Sequence, residues 1–178
     1  VTGSDLPAST TEHPPTRLLR ATGQIPLDRY AADPAAIRSS LRVIRDGGAV
    51  GIFPEGTRGD GELHRSHHGA AYLALVTDVP VVPVTLVGTR PPGGGSNALP
   101  GRGDAIDIVF GEAWRTTQQP WPRTREQVRA TSVLLRGHML SELGSALSQS
   151  RRSLPGPLPA GQSEDDPETG LVERSREL

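Results

Sequence analysis

The chain has no cysteine, and all 19 of its lysine-plus-arginine cations are arginine. Without thiols there is no disulfide framework, no thiolate metal site and no cysteine nucleophile. Without lysine amines there is no Schiff-base chemistry and no phosphate-loop lysine. Long apolar runs are missing as well. The longest, Val79 to Val87, is broken by Pro80, Pro83 and Thr85 and is far shorter than the ~20 residues of a membrane-spanning helix. Val1 to Thr16 has neither a cationic start nor an apolar centre, so it does not read as a signal peptide. A net charge of −1 with no basic stripe interleaved with aromatics supplies no field for a nucleic-acid backbone, and no nucleic-acid partner is expected.

What is present suits one small domain with loose ends. The 178 residues are only 34% hydrophobic, and the 17 prolines and 21 glycines cluster at the two ends and near residues 91–103. Residues 1–17 read as a flexible lead-in, 18–150 as the folded domain, and 151–178, with Pro155, Pro157, Pro159 and the acidic run Glu164-Asp165-Asp166, as a disordered tail. Inside the domain, Asp33-Pro34 opens a helix carrying Ile37, Leu41 and Ile44, which Gly47-Gly48 ends. Ala49 to Phe53 reads as a buried strand feeding a turn at Pro54-Glu55-Gly56. A short helix is expected over Gly69 to Val76, with Ala70, Leu73 and Ala74 on one side, and a buried strand over Val81 to Val87. Ala105 to Phe110 reads as an outer strand with one wetter face, and Thr124 to Ser148 as a long helix packed across the sheet.

Phe53-Pro54-Glu55-Gly56-Thr57-Arg58 is the most informative stretch. A rigid turn, a carboxylate, a glycine, a hydroxyl and a guanidinium follow directly on the apolar run. Ligands gather beyond the carboxyl ends of strands in open α/β sheets, and the arginine fork can hold two phosphate oxygens. Physical chemistry alone stops at an anion site, and an ordinary β-turn with a surface Glu–Arg pair accounts for the spacing equally well.

These residues resemble the FPEGTR block of the glycerophospholipid acyltransferase family. Gly23-Gln24-Ile25-Pro26-Leu27-Asp28-Arg29 resembles the family's upstream block, and Val79-Pro80-Val81-Val82-Pro83-Val84, leading to Gly88, resembles its downstream block. Gly59 stands where the family often has serine. The resemblance implies an α/β fold, a glycerolipid acyltransferase-like mixed sheet flanked by helices, incomplete here at the N-terminus. It implies transfer of an acyl group from acyl-CoA or acyl carrier protein, as co-substrate and with no other cofactor, to 1-acylglycerol-3-phosphate or another glycerol-phosphate acceptor. Work at a membrane surface, from the cytoplasmic face, comes with it. Arg29 and Arg58 would hold the acceptor phosphate, Glu55, Gly56 and Thr57 would shape the acceptor pocket, and Val79 to Val84 would line the acyl-chain side, where a plain core strand is an equal alternative. A glycolipid or amine acceptor fits the same blocks.

Acyl transfer to a hydroxyl needs a base, and histidine is the usual one near neutral pH. The family uses His with Asp five positions later. Here, five positions beyond His13, His64, His67, His68 and His138, stand Leu18, Gly69, Tyr72, Leu73 and Leu143. No catalytic residue is therefore identified. The expectation is a chain lacking that block and inactive alone, or else a non-catalytic acceptor-binding protein. His64, His67 and His68 could group around a metal, but a polar loop explains them and no metal site is expected. Arg102-Gly103-Asp104 reads as a turn.

Overall fold

The computed structural model describes residues 23–27, 33–56 and 59–162. Its elements in chain order are helix α1 (Pro34–Arg45), helix α2 (Gly69–Thr77), strands β1 (Val84–Val87) and β2 (Asp107–Phe110), and helix α3 (Arg125–Ser150).

Local chemistry sets the helix ends. The Asp33 carboxylate accepts the Ala35 and Ala36 amides at 2.8 and 3.0 Å, satisfying donors that the first helical turn cannot. Pro34 opens α1 without needing an amide. At the far end Gly47 takes φ +81°, and the Gly48 amide donates to the Val43 carbonyl at 2.9 Å. Helix α3 starts on a reciprocal box: the Gln127 amide donates to Thr124 Oγ1 at 3.1 Å, and the Thr124 amide donates to Gln127 Oε1 at 2.8 Å.

The two strands pair antiparallel, with Val84 opposite Phe110 and Leu86 opposite Ile108. Val81 and Trp114 exchange two further bonds of 2.8 Å. Pro83, which has no amide to donate, separates that bridge from the ladder, so the strand is shorter than the expected Val81 to Val87. Helix α3 contacts α2 and both strands. Leu75, Val87 and Leu135 are buried where these elements meet. Helix α2 is apolar all round, burying Ala71, Leu73, Ala74 and Leu75 rather than one stripe.

Several sequence expectations are corrected. Ala49 to Phe53 is not a buried strand: it pairs with no strand among the described residues, and Phe53 is 81% exposed. An apolar run becomes a strand only when a neighbour accepts its hydrogen bonds. Nor is β1 buried on both faces. Val84 and Leu86 are 47% and 41% exposed, and across from them Ile108 and Phe110 are 58% and 71% exposed. The open face of β2 is thus its apolar one, because no described element covers it. Residues 151–162 do not trail away. Arg152 Nε lies 2.5 Å from Asp107 Oδ2, and the Gly93 amide donates to the Pro155 carbonyl at 3.4 Å.

Three helices and a two-stranded antiparallel sheet are compatible with the mixed α/β class. A larger mixed sheet does not occur among the described residues. No helix among them is long and apolar enough to cross a membrane.

Candidate functional site

The segment expected to carry chemistry is a closed loop running from Pro54 to His67. Its ends meet where the His67 amide donates to the Pro54 carbonyl at 2.8 Å. The entry is a β-turn in which the Gly56 amide donates to the Phe53 carbonyl at 3.2 Å. Gly56 has φ +72°, and a Cβ there would lie 2.5 Å from His67 Nε2. Glycine is needed at this point twice over, for the left-handed backbone and for room beside the imidazole.

Within the loop, Glu55 Oε1 accepts the Leu63 amide at 3.0 Å. From outside, Arg136 Nε on α3 donates to the Leu63 carbonyl at 2.9 Å. Leu63 is buried and holds φ +53°, a conformation that costs a residue with a Cβ about 1–2 kcal/mol. Such strain persists only where the surroundings over-determine it, and here both polar groups of the residue are bonded. Burial pushes the Glu55 carboxyl above its ordinary range; the Leu63 bond pulls it down, the Asp60 charge pushes it up and His64 pulls it down.

The histidines resolve into different roles. His64 Nε2 lies 3.1 Å from Asp60 Oδ2 and 3.1 Å from Glu62 Oε2. Spacing alone had given this imidazole no orienting acid. The carboxylates precede it in sequence, and the turn at Gly61 (φ +86°) with the Glu62 amide on Asp60 Oδ1 at 2.9 Å folds them back onto it. The ligand atoms of Asp60, Glu62 and His64 lie within 4.8 Å of one another, a mixed oxygen and nitrogen set of the kind that divalent cations accept. All three groups are at least partly exposed and already engage one another. His138 Nε2 lies 2.8 Å from the Glu112 carbonyl oxygen, which accounts for it structurally. Arg102-Gly103-Asp104 is a turn: the Asp104 amide donates to the Gly101 carbonyl at 3.1 Å, and Asp104 Oδ2 accepts the Gly101 amide at 2.7 Å.

Of the residues named from the sequence, Glu55 and Gly56 stand side by side at the loop entry, with Glu55 bracing the loop. Arg29, Thr57 and Arg58 lie outside the described residues. Val79 to Val84 is half open, with Val82 and Val84 exposed and Pro83 buried. Sequence reasoning missed Leu63, Arg136 and Arg90 altogether. No local pattern points to them, because each acts across the fold. A cleft of about 330 Å³ is lined by Gly88, Arg90, Asp104 and Arg152 among others, and by neither Glu55 nor Gly56. Its Arg152 pairs with Asp107 and its Asp104 is engaged by Gly101.

Comparison with known proteins bears on the same loop. A family model described as Acyltransferase matches residues 11–87. The chloroplastic 1-acyl-sn-glycerol-3-phosphate acyltransferase of Brassica napus is 42% identical over 72 residues, 38% of this chain and 20% of that protein. The 1-acyl-sn-glycerol-3-phosphate acyltransferase of Bacillus subtilis is 26% identical over 131 residues, 74% of this chain and 62% of that protein. That of Borreliella burgdorferi is 41% identical over 57 residues, 32% of this chain and 23% of that protein. The chain therefore spans about a fifth of the plant relative and less than two thirds of the Bacillus one. No solved structure matches.

Proposed function

We propose, from the match of residues 11–87 to an acyltransferase family model and the similarity to 1-acyl-sn-glycerol-3-phosphate acyltransferases, that the chain is a member of the glycerophospholipid acyltransferase family and that the protein takes part in acylating the free hydroxyl of a 1-acylglycerol-3-phosphate. In this reaction the acceptor oxygen attacks the carbonyl carbon of a thioester, the carbon–sulfur bond breaks, and the hydroxyl proton ends on the departing thiolate. The donor is acyl-CoA or acyl carrier protein, and the work is done at a membrane surface on its cytoplasmic side. Arg29 and Arg58 hold the acceptor phosphate as guanidinium forks. Gly56 lets the backbone approach the acceptor, Thr57 offers it a hydroxyl, and Glu55 keeps the loop in shape. A larger acyltransferase-like sheet, beyond the two strands described, belongs to the same reading.

The observation that carries this proposal is the closed Pro54–His67 loop, lying within the matched segment and braced at Leu63 from two sides. Binding a phosphate between two arginines demands a backbone that is fixed before the ligand arrives. A test compares this chain, and the chain extended by the coding sequence before Val1, for binding and acylation of lysophosphatidate. Binding by both, with turnover only where a His–Asp block is present, is the expected result. If the extended protein neither binds nor acylates any phospholipid acceptor, the reading fails.

A second reading, an acceptor-binding chain without turnover, is favoured by the absence of an acid five residues after any histidine. Turnover by the unextended chain refutes it.

A further inference from the structure

Helix α3 turns Leu135 into the core at 2% exposure, while Val133 and Leu134 just before it are 59% and 66% exposed. The outer side of a helix in water ordinarily carries polar residues, so packing gives no reason for this apolar pair. Trp121, three positions before the Thr124 cap of the same helix, is 81% exposed. Between the indole and the pair in the chain stand Arg125 and Arg129, both exposed.

Arg125 occupies the first turn of α3, where the helix dipole disfavours a cation. It pairs with no acid among the described residues. The helix start is already satisfied by the neutral Thr124–Gln127 box, so helix stability does not call for arginine at this position. Trp121 to Leu134 holds three arginines against one acid, Glu126, in a chain whose net charge is −1. The positive charge is thus local.

Steps of four residues put Arg125, Arg129 and Val133 along one ridge of the helix. Arg125, Arg129 and Arg136 fall within about 40° of one another around the axis, and Arg136 donates to the Leu63 carbonyl. The ridge therefore runs from Trp121 at its outer end to the Pro54–His67 loop. An exposed indole, cations and apolar side chains together are the composition of elements that lie in the headgroup layer of a bilayer. There the guanidinium forks meet lipid phosphates, and the apolar groups leave water. An acidic protein would match the arginines too, but a ridge ending at the loop of a lipid-acylating protein favours the bilayer.

We propose that the outer face of the first half of α3, with Trp121, is the surface by which the protein docks on a bilayer bearing anionic lipid, with the Pro54–His67 loop alongside. The inference rests on the acyltransferase reading for one thing, that the acceptor is drawn from a membrane.

The test sediments the full chain with vesicles of phosphatidylcholine, alone or mixed with phosphatidylglycerol. The parent should bind the mixed vesicles preferentially, and less so as salt is raised. Arg125→Gln with Arg129→Gln should weaken that binding about thirtyfold, the scale of two cations lost at an anionic surface. Val133→Ser with Leu134→Gln should weaken it about tenfold and decides the matter if the arginine variant does not fold. Brominated lipid chains should quench the parent's fluorescence, and Trp121→Phe should abolish that quenching. A parent that ignores the mixed vesicles overturns the inference, as do folded variants that bind like the parent. Binding that is lost instead in Ile108→Thr with Phe110→Thr overturns it in favour of the sheet face, and capture of acyl carrier protein without vesicle binding overturns it in favour of a protein partner. Short-chain lysophosphatidate, dissolved without vesicles, tests the acyltransferase reading separately: failure of the parent to bind it sinks that reading and leaves the vesicle result standing.

Discussion

Glu55 and Leu63 are eight positions apart, and the carboxylate of one accepts the backbone amide of the other at 3.0 Å. That bond ties Glu55 to the far side of the turn at Asp60 and Gly61. It also gives a half-buried carboxylate its main compensation for leaving water.

Because the Glu55 carboxyl is raised in the fold, chiefly by burial, the folded state holds this proton more tightly than the unfolded chain. Its contribution to stability is fully present below the unfolded carboxyl's pKa and is lost as pH rises through the raised folded value. Glu55→Gln keeps an oxygen for the Leu63 amide and removes the titration. Denaturant midpoints across the mildly acidic range should then show a flatter pH dependence than the parent, with stability at neutral pH changed by no more than about 1 kcal/mol. A variant profile as steep as the parent's assigns the slope to other groups.

Gly56→Ala forces a Cβ into a left-handed backbone and onto the His67 imidazole, 2.5 Å from Nε2. The backbone part alone costs about 1–2 kcal/mol. Adding His67→Ala should relieve the steric part and leave the backbone part. Thermal unfolding of the single and double variants measures the division, and a single variant as stable as the parent contradicts the turn geometry.

Gly88→Ala is expected to be worse. Gly88 has φ +89°, and its Cβ would stand 2.7 Å from the Ala105 carbonyl oxygen, a backbone atom that cannot rotate aside. Strain and overpacking together come to about 3 kcal/mol. The loss should appear as a lowered denaturant midpoint, with hydrogen exchange faster throughout the β1–β2 ladder. Protection of the ladder equal to the parent's excludes the close approach.

Val84, Leu86, Ile108 and Phe110 share one open sheet face as cross-strand pairs. Exposed apolar side chains on this scale invite self-association. Ile108→Thr with Phe110→Thr should reduce binding of a hydrophobic dye and precipitation at high protein concentration, at a stability change within about 0.5 kcal/mol per site. A large destabilisation would mean that the face is covered in solution.

Much of the local structure was legible in the residues themselves. Asp33-Pro34 and Thr124 marked helix starts, Gly47-Gly48 marked a stop, and Pro54-Glu55-Gly56 marked a turn, because each choice answers a requirement of the backbone within a few positions. Exposure was misjudged at Ala49 to Phe53 and at β1. Apolar character shows what a segment would gain by burial, not whether another element covers it.

The block order, the turn chemistry at Pro54 to Gly56 and the missing His–Asp spacing follow from the order of residues alone, since they are properties of near neighbours in the chain. Packing of the folded chain decided that Arg90 would hold Gly59 across 31 positions and that Arg136 would hold Leu63 across 73. It decided as well that Asp60 and Glu62 would turn back onto His64. Such partners are set by where the helices and the sheet bring distant backbones together, and a buried carbonyl accepts from whichever donor packing delivers to it.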